Sequence, residues 1–246
     1  MTAERKFEPK AQNELKIAQI ETSMSVSVKI CGLSTKGTLE AAIEAGAGYA
    51  GFVFFEKSPR NVSLKQAARL ARLAQGRIKT VALTVNATDE AIKEIEAKVK
   101  PDFLQLHGGE SPERIAAIRK VSRAAIIKAI KVGSPDDIAM ASRFERAADI
   151  LLFDAKAVAP GALPGGNGIA FDWTWLSKAK LRKNFMLSGG LNSDNLPEAL
   201  QASGASAVDV SSGVETSPGV KTPARIRKFI RIAKSFEPAA PVFHAA

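Results

Sequence analysis

The feature that most constrains this chain is a short apolar run, rich in Val, Ile and Phe, that recurs eight times. The runs are VSVKIC at 26–31, YAGFVFF at 49–55, IKTVALTV at 78–85 and FLQLH at 103–107, then AAIIKAI at 124–130, DILLFDA at 149–155, NFMLSGG at 184–190 and SAVDVSSG at 206–213. Near-continuous apolar strands are what a parallel sheet requires, because helices cover both of its faces. Helical period appears between the runs, in Ile92, Ile95 and Val99, in Ile115, Ile118 and Val121, and in Ile226, Phe229, Ile230 and Ala233. Ser111-Pro112, Ser134-Pro135 and Thr222-Pro223 each offer a capping hydroxyl followed by a proline suited to the first helical position. Eight strand–helix alternations predict an α/β fold of one domain, a (β/α)8 TIM barrel over residues 26–236, with an open doubly wound sheet as the alternative. No G-x-G-x-x-G follows any run, which weakens the dinucleotide-binding form of that alternative.

Residues 1–25 precede the first run and read as an N-terminal extension in which Met24 offers a second start, and 237–246, with Pro238 and Pro241 among alanines, reads as a flexible C-terminal tail. A chain of 246 residues with 46% hydrophobic content suffices for one large core. No stretch approaches the roughly 20 apolar residues of a membrane span, and Glu4, Lys6, Glu8, Lys10 and Glu14 break up any secretory signal. A cytoplasmic protein without membrane partners is expected. One cysteine, Cys31, excludes an intrachain disulfide and a cysteine-based zinc cage. The net charge of +10 invites a nucleic-acid reading, but the basic residues are spread over many candidate helices and no nucleic-acid-binding motif is found. No nucleic-acid partner is expected. A basic surface also suits a small anionic substrate.

In a parallel barrel the reactive groups belong at the C-terminal ends of the strands. Cys31 ends the first run, Arg60 follows the second, His107 ends the fourth, Asp154 closes the sixth and Asp209 lies in the eighth. Residues two apart on a strand share a face, so Lys29 is expected one layer below Cys31, where its charge would favour thiolate. The plain readings remain open: Cys31 as a small buried hydrophobe, Asp154 as a cap, His107 as a packing residue and Arg60 as a solvated loop charge. Gly189 and Gly190 in LSGGL, and Ser211, Ser212 and Gly213 in DVSSGVE, follow the seventh and eighth runs, the usual phosphate position of such barrels. PGGNG at 164–168 can add a third flank, and LSGGL leads toward a helix beginning near Ser193.

Taken together, VKICG at 28–32, GFVFFEKSPRNV at 51–62, LQLHG at 104–108, LLFDAK at 151–156, LSGGL at 187–191 and DVSSGVE at 209–215 resemble the phosphoribosylanthranilate isomerase pattern, in order, from Val26 to about Phe236. The resemblance implies a barrel enzyme of tryptophan biosynthesis with no metal and no organic cofactor. Its reaction would be an aldose–ketose isomerisation, the Amadori rearrangement of N-(5-phosphoribosyl)anthranilate to 1-(2-carboxyphenylamino)-1-deoxyribulose 5-phosphate. By motif, Cys31 matches the general base, Asp154 the general acid and Arg60 the holder of the anthranilate carboxylate. His107 and Asp209 match supporting positions. Gly189, Gly190, Ser211, Ser212 and Gly213, with a loop containing Gly166 and Gly168, match phosphate-contacting segments. The sequence departs from the pattern in its extension and in Asn167, where a small hydroxyl residue is common. The expected partner is a phosphorylated small molecule, and the expected assembly a monomer or homodimer.

Rival readings are other phosphate-binding barrels, namely the histidine-pathway aminosugar isomerase, expected to carry a carboxylate where Cys31 stands, and indole-glycerol-phosphate synthase, whose lysine and glutamate set has no match. More distant are an aldolase using Lys128 or Lys156 as a Schiff-base amine and a basic barrel that binds RNA.

Overall fold

The computed structural model describes residues 26–156, 170–179, 181 and 185–237. The extension before Val26, the loop holding Gly166, Asn167 and Gly168, and the tail after Glu237 lie outside the described residues. The eight apolar runs become eight parallel strands: β1 Ser27–Cys31, β2 Tyr49–Phe54, β3 Lys79–Thr84, β4 Phe103–Leu106, β5 Ala125–Val132, β6 Ile150–Ala155, β7 Phe185–Leu187 and β8 Ala207–Val210. They close in sequence order into a barrel, β8 pairing with β1 through Ser27↔Ala207 and Lys29↔Asp209. The open sheet is thereby excluded.

Among the described residues, eight α-helices follow the strands in turn: α1 Lys36–Glu44, α2 Leu64–Ala74, α3 Asp89–Lys98, α4 Pro112–Ile118, α5 Pro135–Met140, α6 Thr174–Lys178, α7 Leu196–Ser203 and α8 Pro223–Lys234. The capping residues stand where expected, with Ser111 Oγ accepting from Arg114 N and Thr222 Oγ1 from Arg225 N. At Ser134 the work is done by Asp137, whose Oδ2 takes the Ser134 N–H at 3.0 Å. Several boundaries differ from the sequence reading, and two of them have a visible cause. β5 continues to Val132, past the run's end at Ile130, because Lys131 and Val132 still pair with Asp154 and Ala155. The helix after β7 starts at Leu196 and not near Ser193, because the Asn192 side chain takes the N–H groups of Asp194 and Asn195 and holds them in a turn.

Two apolar systems hold the barrel. Outward-facing strand residues such as Ile30, Phe52, Leu104, Ile126 and Phe153 pack against the helix layer. Inward-facing Val81, Ile127, Ala129, Leu152 and Met186 fill the lumen, floored by Tyr49, Phe103, Ile150 and Ala207. The lumen is a packed core, so its upper layers can hold polar residues only if they pair with one another. Among the described residues, no helix is long and apolar enough to cross a membrane.

Candidate active site

Above the apolar floor the inward-facing positions turn polar. Lys29 on β1 is completely buried and donates to Asp209 Oδ1 on β8 at 2.9 Å. Gly51 on β2 makes this possible, because a Cβ there would stand 3.2 Å from Lys29 Nζ. One layer up lies Cys31, beside Val53 and Leu83. Ser211 Oγ donates to the Cys31 carbonyl at 3.1 Å and ties the loop after β8 to the end of β1.

The expected thiolate does not follow from this arrangement. Burial pushes the Cys31 thiol above its ordinary value of 9.0, the Lys29 charge opposes that push, Asp209 adds to it and Lys221 opposes it. The Lys29 cation is already committed to Asp209, so the balance falls to desolvation. For Lys29 itself burial works against the charge, but Asp209 and Cys31 outweigh it and raise its affinity for its proton.

Across the lumen, Gln105, His107 and Asp154 form a chain. Gln105 Nε2 lies 2.9 Å from His107 Nδ1, and His107 Nε2 lies 3.0 Å from Asp154 Oδ2. β4 and β6 are separated by β5, so this contact can be made only inside the barrel. All three residues are buried. Gln105 Oε1 is buried without a partner, although the opposite end of its amide is engaged.

Arg60, in the loop after β2, is buried and ion-paired. Its Nε and Nη2 donate to Glu215 Oε1 and Oε2, each at 2.8 Å. Gly32 at φ +80° leaves room for this side chain, since a Cβ there would meet Arg60 Cδ at 2.9 Å. Glu215 opens a short hairpin, β9 Glu215–Ser217 and β10 Val220–Lys221. It also accepts from Lys221 Nζ at 2.7 Å, and Lys221 in turn donates to the Ser211 carbonyl at 2.9 Å. Burial raises the Glu215 carboxyl, but Arg60 and Lys221 more than reverse this and keep it ionised. The side-on fork of Arg60 is therefore occupied. A ligand carboxylate would meet the remaining end-on pair of N–H groups, Nη1 with the second Nη2 proton.

The two glycine loops flank this network. Gly189 and Gly190 adopt φ of 91° and 66°, and a Cβ on Gly189 would stand 2.5 Å from the Ala155 amide nitrogen. Ser212–Val214 forms a single 3-10 turn directly after Ser211. Successive backbone N–H groups in such turns make concave anion sites. At the opposite end of the barrel a cavity of about 870 Å3 is lined by Arg72, Arg77, Lys79 and Asp102 among others. Arg77 pairs there with Glu40 and Lys79 with Asp102, all partly exposed, so these four charges form salt bridges on the surface.

Glu215, Lys221 and the role of Gln105 were not singled out from sequence. Parity with His107 was the one signal for Gln105, and Glu215 stood unassigned at the end of DVSSGVE. Lys128 is corrected: it faces out of the barrel between inward-facing Ile127 and Ala129, donating to Glu110 Oε2 at 2.8 Å and to the carbonyls of Leu106 and Gly108. It cannot present a free amine to the lumen. Lys156 follows β6 and is exposed. Among the described residues no group of three metal-ligating side chains is assembled.

A closed eight-stranded parallel barrel that carries a histidine-bound carboxylate and a buried thiol at the C-terminal ends of its strands has the architecture of the (β/α)8 class of enzymes. The model for the N-(5'-phosphoribosyl)anthranilate isomerase family matches residues 28–232. The curated isomerase of Parvibaculum lavamentivorans is 50% identical over 213 residues, covering 86% of this chain and 99% of its own. That of Rhodopseudomonas palustris strain BisA53 is 50% identical over 214 residues, covering 87% and 98%. The crystal structure of the Thermotoga maritima isomerase superposes with a TM-score of 0.76 at 35% identity, covering 85% of this chain and 98% of that one. Another isomerase structure, solved with reduced 1-(o-carboxyphenylamino)-1-deoxyribulose 5-phosphate, gives 0.74 at 33% identity, with 85% and 98% covered. This chain belongs to the N-(5'-phosphoribosyl)anthranilate isomerase family.

Proposed function

We propose that the mouth of this barrel performs the Amadori rearrangement of N-(5-phosphoribosyl)anthranilate, in tryptophan biosynthesis, with Asp154 as general acid and Cys31 as general base. Asp154 gives its proton to the furanose ring oxygen, the C1–O bond breaks and the anilino nitrogen supplies the electron pair of a Schiff base. Cys31 then takes the proton from C2, which leaves an enolamine that tautomerises to the ketone. The reaction is redox-neutral within one molecule and uses one acid and one base. The end-on face of Arg60 holds the anthranilate carboxylate, and the turns at Gly189–Gly190 and Ser211–Gly213, with the loop containing Gly166 and Gly168, hold the phosphate. Fixing both ends orients the reacting carbon.

The observation that carries this reading is the seating of Asp154 and Cys31 on β6 and β1 at the C-terminal ends of the barrel, one bound by a histidine and the other above a buried ion pair. Its test is a fluorescence assay of substrate loss with two variants. Cys31→Ser and Asp154→Asn each keep size and remove the proton function, so kcat should fall by about 100-fold or more with KM little changed. Retention of most of the turnover by either variant removes that residue from its role. The raised thiol adds a pH signature. A base whose pKa lies above the ordinary 9.0 is mostly protonated at neutral pH, so kcat/KM should climb as pH rises from 7 towards 9. A plateau beginning below pH 7 would contradict that environment for Cys31.

A further inference from the structure

We propose that Gln105 is a positioning residue that fixes His107 in its Nε2–H tautomer, so that Asp154 must carry its catalytic proton on Oδ1. The inference rests on the acid role given to Asp154.

A neutral imidazole has one donor and one acceptor nitrogen. His107 Nδ1 faces Gln105 Nε2 at 2.9 Å, and an amide NH2 can only donate. Nδ1 is therefore the acceptor, and the ring proton is on Nε2, 3.0 Å from Asp154 Oδ2. With Oδ2 receiving that proton, the carboxylic acid can hold its own proton only on Oδ1. Oδ1 then points the acid O–H away from the histidine. When Asp154 gives this proton to the substrate, the N–H already in place meets the new carboxylate, and no tautomer change is needed during turnover.

The orphaned Gln105 Oε1 counts against this orientation of the amide, but the other orientation is worse. Turning the amide over would satisfy that oxygen from Nδ1–H, but it would leave an NH2, with two donors, in the position that now holds a lone acceptor. Unpaired buried N–H groups are rarer than under-satisfied carbonyls. Gln105 is wholly buried among the lumen residues, so solvent gives neither orientation an alternative partner. The reversed tautomer would direct the Nε2 lone pair at Asp154 Oδ2, which could then be satisfied only by turning the acid proton inward, away from the substrate.

The chain has two histidines, His107 and His244, so a long-range proton–nitrogen spectrum of the 15N-labelled protein resolves the question directly. His107 is assigned by the loss of its signals in His107→Asn. Wild-type protein at neutral pH should show a protonated Nε2 and an unprotonated Nδ1. Gln105→Glu places an acceptor against Nδ1 and should move a proton there, with kcat falling at least about tenfold and KM changing much less. Gln105→Leu removes the donor without adding an acceptor and should lose less turnover than the glutamate variant. A wild-type Nδ1–H tautomer overturns the proposal, and so do equal losses of turnover in the two variants, which would mark a packing role alone. Should Asp154→Asn keep its turnover, the acid reading fails while the tautomer result stands by itself.

Discussion

Two buried lysines on opposite sides of the same barrel make a controlled comparison. Lys29 points inward from β1 to Asp209, and Lys128 points outward from β5 to Glu110. Both pairs are almost completely excluded from water, and their N···O distances are alike. Their affinities for the proton move in opposite directions. Burial lowers both, but Lys29 faces Asp209 and Cys31 together and ends raised, whereas Lys128 has Glu110 alone, with Lys131 nearby, and ends lowered. What separates a chemical lysine from a structural one here is the set of groups facing it. Lys29 holds a fixed positive charge under the thiol. Lys128 staples the loop after His107 through three acceptors.

The largest effect expected from breaking this comparison is in Lys29→Met. It strands Asp209 in the lumen and removes the cation below Cys31, so it should cost about 3 to 5 kcal/mol of stability, and surviving folded enzyme should lose more than about tenfold in kcat. Urea unfolding and turnover on the same preparation measure both. Lys128→Met should cost a similar amount of stability by stranding Glu110, but with kcat kept within about tenfold at a temperature where the variant is folded. If Lys128→Met loses more turnover than Lys29→Met, the division into chemical and structural lysine fails. The smallest effect is a recovery. Glu110 also accepts from the Asn86 and Gly108 amides, so Lys128→Met combined with Glu110→Gln keeps an acceptor for them and leaves no unpaired charge. That double variant should regain about 1 to 2 kcal/mol over Lys128→Met. It should also resist acid better. Burial raises the Glu110 carboxyl, but Lys128 and backbone donors outweigh it and hold it below 4.5, so its contribution is present above that value and fades as pH falls below it. A double variant as acid-sensitive as the wild type would place that sensitivity elsewhere.

The fold was legible because its signal is periodic and repeated. Eight apolar runs found eight strands, and the end of each strand located Cys31, His107 and Asp154, since strand parity fixes a face without any knowledge of partners. What was not legible depends on partners far away in sequence. Glu215 and Lys221 look like ordinary surface charges until Arg60, 155 residues earlier, is brought against Glu215. The thiol's direction is hidden for a related reason: a nearby lysine is visible by parity, but its prior commitment to Asp209 and the depth of burial are not. Helix starts followed Ser-Pro and Thr-Pro, yet the turn at Asn192 hid a delay of three residues because an asparagine cap can serve the turn before a helix as well as the helix itself.

The seam between β1 and β8 has a consequence for the order in which the protein comes into being. Lys29 and Asp209 are 180 residues apart, as are Cys31 and Ser211. On the ribosome the first strand waits until nearly the whole chain has been made, and until then its lysine has no counter-ion and must stay in water. Burying it early would be opposed by its charge, which disfavours premature closure of the N-terminal strands on themselves. The last strand therefore delivers the carboxylate that allows the first to be enclosed, and the Cys31 thiol acquires its surroundings in the same event. Contacts of such long range are slow to form, so a newly made chain would become active only with ring closure.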